Sequence, residues 1–129
     1  MNRNIPSLCV ILLLMISARV CAFDIWVSPA GSDRAAGTQA APKKTLTAAL
    51  RQARELRRTQ PDVVKGGITI YLAPGEHALC EPVFIRPEDS GTPDSPTVIT
   101  TTGTSVAASN AVVQSPQAIL SGGVSVSGW

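Results

Sequence analysis

Aromatic residues make up only 4% of this 129-residue chain, and cysteine occurs three times. Cys9 and Cys21 fall within the first 22 residues, so a chain cleaved after Ala22 keeps Cys80 alone and cannot close an internal disulfide. A small domain stapled by disulfides is thereby excluded. Long hydrophobic runs are also missing: Leu8 to Ile16 is nine residues, against the roughly 20 that a bilayer-spanning helix needs. Nor is one sign of charge in excess. Without Arg3 and Arg19, nine Lys plus Arg stand against nine Asp plus Glu, which removes the global argument for nucleic acid or an anionic membrane as partner. His77 is the single histidine and no Gly-x-Ser-x-Gly elbow is present, which argues against a serine-histidine-aspartate hydrolase.

Residues 1–22 have the layout of a secretory signal: Arg3, then the apolar run, then Val20-Cys21-Ala22 with small residues where signal peptidase needs them. Cleavage after Ala22 is expected, leaving residues 23–129 as one secreted or periplasmic domain with no membrane contact.

What remains is rich in Val, Ile, Thr, Ser and Gly, a composition of strands and turns. Phe23, Ile25 and Val27 alternate with polar or outward positions as in a half-buried strand, and Ile68-Thr69-Ile70-Tyr71-Leu72 does the same before an expected turn at Ala73 to Glu76. Further short strands are expected at Val83 to Ile85, Thr97 to Thr100, Ala111 to Val113, Ala118 to Leu120 and Val124 to Val126. Between Thr45 and Thr59 the period changes. Leu46, Ala49, Leu50, Ala53 and Leu56 gather on one helical face, Thr45 can cap its start and Pro61 forbids continuation much beyond Gln60. Arg51, Arg54, Arg57 and Arg58 take the other side. They form either a basic strip for an acidic polysaccharide, helped by Lys43 and Lys44, or a solvated face, and the lack of an interleaved aromatic favours the latter. Composition alone leaves a sandwich, a small barrel or a parallel β-helix open.

Order and spacing narrow the choice. Val27-Ser28-Pro29, Gly31-Ser32-Asp33, Gly37-Thr38, Pro42-Lys43-Lys44-Thr45-Leu46, Leu72-Ala73-Pro74-Gly75, Pro87-Glu88-Asp89-Ser90-Gly91 and Ser121-Gly122-Gly123 follow one another along the chain. In that order they resemble the opening of exported right-handed parallel β-helix proteins of the pectin-lyase-like fold, and the chain is similar to the β-helix glycoside hydrolases, with polysaccharide lyases as cousins. The resemblance implies an all-β fold in which the amphipathic helix caps the first coils, a polysaccharide or oligosaccharide as partner of the full-length parent, and a chain that is its N-terminal fragment. A non-catalytic glycan-binding β-helix is the alternative. Two departures stand out: His77 takes the place of an aromatic, and the small-residue stretch Thr101 to Asn110 reads as an insertion in an early coil.

A glycosidase needs two carboxyl groups about 5 to 9.5 Å apart. Glu76, Glu81, Glu88, Asp89 and Asp94 are the acidic residues to consider, and Glu88, Asp89 and Asp94 are also hard calcium-type ligands, though not spaced as a calcium loop. Asp89 is expected to bond nearby backbone amides in its turn. Cys80 is expected to be half-buried at a coil corner, with its side chain opposed to that of His77. Ser121-Gly122-Gly123 is expected to make a tight turn. The resemblance puts the family's reacting residues on later coils, so no catalytic, cofactor-binding or metal residue is expected in this chain.

Overall fold

The computed structural model describes residues 22–102 and 117–123, with 126 and 128. The expected signal at residues 1–22 and the expected strand at 111–113 lie outside them, apart from Ala22, as does most of the strand expected at 124–126.

Three parallel strands form the main sheet: β1 (Phe23–Val27), β2 (Ile68–Leu72) and β5 (Ser95–Thr101). Their order is β1-β2-β5, and β4 (Gly91–Thr92) joins the far edge antiparallel to the start of β5. A second parallel pair is made by β3 (Gly75–Ala78) and β6 (Ala118–Ser121). The chain thus visits the two sheets twice in the same sequence, β2 then β3 and β5 then β6. Register is one-to-one across the main sheet, so Ile25, Ile70 and Ile99 form a column, as do Val27, Leu72 and Thr101. Because side chains at matched positions of parallel strands share a face, one column is inward throughout. Outward, Trp26 and Tyr71 stack with ring centroids 4.7 Å apart.

Helix α1 (Leu46–Thr59) begins where Thr45 Oγ1 accepts from the Ala48 amide, and ends before Pro61, whose ring opens a short 3-10 turn, η1 (Pro61–Val64). Its apolar stripe, Leu46, Ala49, Leu50 and Ala53, closes over Ile25, Val27, Ile68, Ile70 and Leu72 in one core, with Leu56 at its margin. Alongside the strands, then, the described residues carry α1, η1 and one helical turn, α2 (Pro87–Ser90). Burial falls along the stack: Ile25 and Ile70 are fully buried, whereas Ile99 in the same column is 39% exposed.

Three local expectations are corrected. Ala73 to Glu76 is not all turn. Only Ala73 and Pro74 separate β2 from β3, the corner being taken by Gly75 at φ +123°. Val83 to Ile85 is not a strand. Pro82 and Pro87 bracket it, prolines have no amide to donate, and no strand pairs with it among the described residues, so Phe84 and Ile85 stand 71% and 66% exposed. Ser121 belongs to β6, its carbonyl accepting from the Leu79 amide, and the Gly123 amide reaches back to Ser121 Oγ.

Leu72 pairs with Thr101 and Gly75 with Ala118, so two residues of the chain separate β2 from β3 and sixteen, 102–117, separate β5 from β6. Thr101 itself ends β5, and most of the insertion expected at 101–110 lies outside the described residues.

Candidate functional site

The polar side of α1 is a set of ties. Arg54 Nε donates to Asp89 Oδ1 at 2.6 Å, and the Arg86 amide donates to Asp89 Oδ2 at 2.7 Å. Arg57 donates to Ser95 Oγ, the Ser95 carbonyl and Thr97 Oγ1, each at 2.9 Å, while Ser95 Oγ donates to the Val64 carbonyl. Arg58 pairs with Glu55 at 2.7 Å on the exposed surface. Neither a free basic strip nor a merely solvated face describes this helix: Arg54 and Arg57 bind it to the turn before β5. The two arginines are three residues apart and so share a side of the helix, which lets one tie hold α2 and the other the start of β5.

Asp89 is the centre of that arrangement and has a side chain 1% exposed. Burial alone would push its carboxyl up, but the Arg54 hydrogen bond, the Arg86 amide and the charges of both arginines outweigh it and hold the group below its ordinary value. Both oxygens are occupied. This carboxylate therefore positions backbone and helix and is not free to transfer a proton or attack. Glu76, Glu81, Glu88 and Asp94 are all exposed, and Glu88 lies 3.9 Å from Arg86. No group of three His, Cys, Asp or Glu able to hold a metal occurs among the described residues.

His77 faces inward from β3 and is 4% exposed. Its Nε2 lies 2.8 Å from the Ala73 carbonyl, so that nitrogen carries the proton, and Nδ1 is buried with no partner among the described residues. Cys80 is not half-buried. β3 ends at Ala78, the strand no longer directs the chain inward, and the thiol is exposed.

One residue escaped the sequence reading. Asp33 Oδ1 accepts from the amides of Lys44 and Thr45, at 3.1 and 2.8 Å, and Oδ2 accepts from Thr45 Oγ1 at 3.0 Å. It thus holds the residue that caps α1, which gives the Gly-Ser-Asp loop its purpose. The signal available was an Asp in a Gly-x-Asp loop upstream of a capping Thr.

Two adjoining cavities open beside this helix. One, of about 290 Å³, is lined by Thr47, Arg51, Arg54, Glu81, Phe84 and Arg86. The other, of about 220 Å³, shares Thr47, Arg51 and Glu81 with it and extends toward Asp33 and Cys80. The aromatic that the sequence lacked among the arginines is supplied in space by Phe84, thirty residues from Arg54.

Helix α1 thus covers a sheet of parallel strands, and the chain passes from that sheet to a second parallel pair twice in the same order. No family model matches the chain, and no curated protein matches it. A solved structure named glycoside hydrolase is similar to it at 54% sequence identity and a TM-score of 0.70, over 84% of this chain. The chain spans 16% of the length of that one. The likeness is therefore to one part of a protein named glycoside hydrolase. Among the described residues, no helix is long and apolar enough to cross a membrane.

Proposed function

We propose that this chain is the N-terminal cap and first two coils of an exported right-handed parallel β-helix protein whose parent hydrolyses glycosidic bonds. The likeness to a solved glycoside hydrolase, at 54% identity over 84% of the chain, carries the reading. Three features of the geometry support it. Matched columns across β1, β2 and β5 are what successive coils produce. Helix α1 packs nearest β1, the outermost strand, as a cap does when it keeps the apolar end of a stack from water. Exposure then rises toward β5 and β6, where Ile99 and Leu120 are 39% and 46% exposed, as it would if a further coil normally lies on them.

In this reading the fragment supplies no chemistry of its own. Asp89 is committed to structure, and a hydrolase of this kind needs one carboxyl group to protonate the leaving oxygen and a second to act as nucleophile or to activate water. Those groups sit on coils beyond residue 129, and residues 1–22 are a signal removed on export. The test is to read the coding DNA past the codon for Trp129. An open frame of several hundred residues, with short strands and carboxylates clustered on one face, is the expected result. A long frame of repeats without such a cluster would make the parent a glycan binder, and an immediate stop codon would end the enzyme reading for this chain.

A further inference from the structure

The geometry points to the cavity between α1 and residues 79–86 as a subsite for a neutral pyranose unit of a polysaccharide, an inference that rests on the carbohydrate reading above. Sugar rings need an apolar plate for their C–H face, fixed polar groups for their hydroxyls, and a shape set before they arrive. Phe84 supplies the plate, being 71% exposed at the edge of a cavity of about 290 Å³. Its exposure is not that of a loose end. Arg54 reaches the Phe84 carbonyl at 3.5 Å and Asp89 holds the Arg86 amide at 2.7 Å, so the segment is pinned on both sides of Ile85.

Arg51, Glu81 and Thr47 supply the polar groups. Arg51 and Glu81 are exposed and make no ion pair among the described residues, so a guanidinium that only donates and a carboxylate that only accepts face the same space as a hydroxyl that does both. A pair of neighbouring sugar hydroxyls is matched by such a set. The charges argue for a neutral ring: Arg54 is paired with Asp89, Arg86 faces Glu88 at 3.9 Å, and the two remaining charged groups of the lining, Arg51 and Glu81, are of opposite sign. The second cavity shares Thr47, Arg51 and Glu81, so the two adjoin along the same side of α1.

The test titrates the chain, and the whole gene product, with xylohexaose and cellohexaose, using a galacturonate hexamer as the charged comparison. Saturation-transfer NMR and calorimetry read binding, and far-ultraviolet circular dichroism reads the fold. Binding of a neutral hexamer is expected, weakened about tenfold or more by Phe84→Ala and by Arg51→Ala, and unchanged by Arg58→Ala, which alters an exposed pair on the same helix. Folded protein that binds no neutral hexamer overturns the proposal. So does binding indifferent to Phe84→Ala, or tighter, salt-sensitive binding of the galacturonate hexamer. A fall of several degrees in the Tm of the whole gene product on Phe84→Ala would also overturn it, by showing the ring to be packed there. If the whole gene product cleaves polysaccharide but neither protein binds at this groove, only the subsite fails. If binding holds and nothing is cleaved, only the hydrolase reading fails.

Discussion

Replacing Asp89 with Asn changes one atom of the carboxylate and tests the tie that holds α1 to the turn before β5. Oδ1 accepts from Arg54 at 2.6 Å and Oδ2 from the Arg86 amide at 2.7 Å. An amide can accept at one of these positions only, so its NH2 must face a donor at the other. Leaving a buried donor unmatched costs about 1–3 kcal/mol, and removing the charge that faces Arg54 brings the total to about 3–5 kcal/mol. Urea unfolding followed by Trp fluorescence and circular dichroism measures this, and a Tm lower by about 10–20 °C is expected. The pH dependence has a definite sign. Asp89 is held below its ordinary value, so its contribution is full above the unfolded pKa of about 3.9 and is lost as pH falls through the folded value. The gap between wild type and Asp89→Asn should therefore be constant from pH 7 to about pH 5 and close below about pH 4. In a double-mutant cycle, Arg54→Met with Asp89→Leu should cost much less than the sum of the single changes, because no charge is left buried alone. A loss below about 1 kcal/mol, strict additivity, or a gap that persists in acid would refute the reasoning.

Ile70→Ala should destabilise by about 2–5 kcal/mol and Ile99→Ala by under about 1 kcal/mol, although the two share a column, since one is fully buried and the other 39% exposed. Equal costs in urea melts would mean that Ile99 is covered in this chain. Gly91→Ala should cost more than about 2 kcal/mol. Gly91 sits at φ +77°, and an added Cβ would run into the Ser95 carbonyl and lie 2.6 Å from Arg57. A Tm within a degree of wild type would show that the turn relaxes. Asp33→Ala removes three hydrogen bonds around Thr45 and should cost about 1–2 kcal/mol, with amide exchange rising first in residues 44–48.

Local rules made much of the fold legible. Alternation at Phe23 to Val27 and Ile68 to Leu72 marks a surface half in and half out of a core, and Thr45 with Pro61 brackets α1 by capping and by the missing proline amide. The ties were not legible, because Arg54 meets Asp89 across 35 residues and Arg57 meets Ser95 across 38. Nothing in the spacing of arginines along a helix distinguishes a guanidinium in solvent from one folded against a distant turn. Val83 to Ile85 misled for a related reason. Apolar, β-branched and aromatic residues mark a strand only when a partner strand is present, and among the described residues none is. Phe84 was thus invisible as a neighbour of Arg51 until the pinned segment 84–89 brought them to one cavity.

The central claim, that this chain caps a saccharide-cleaving parent, is tested most directly by reducing-end release. The product of the whole gene is incubated with neutral plant polysaccharides and the new reducing ends are counted. The account expects release that is abolished by replacing carboxylates encoded beyond Trp129 and is retained, with a lowered Tm, in Asp89→Asn. Release that disappears with Asp89→Asn while the protein stays folded would contradict it, and so would a folded product that cleaves no glycosidic bond.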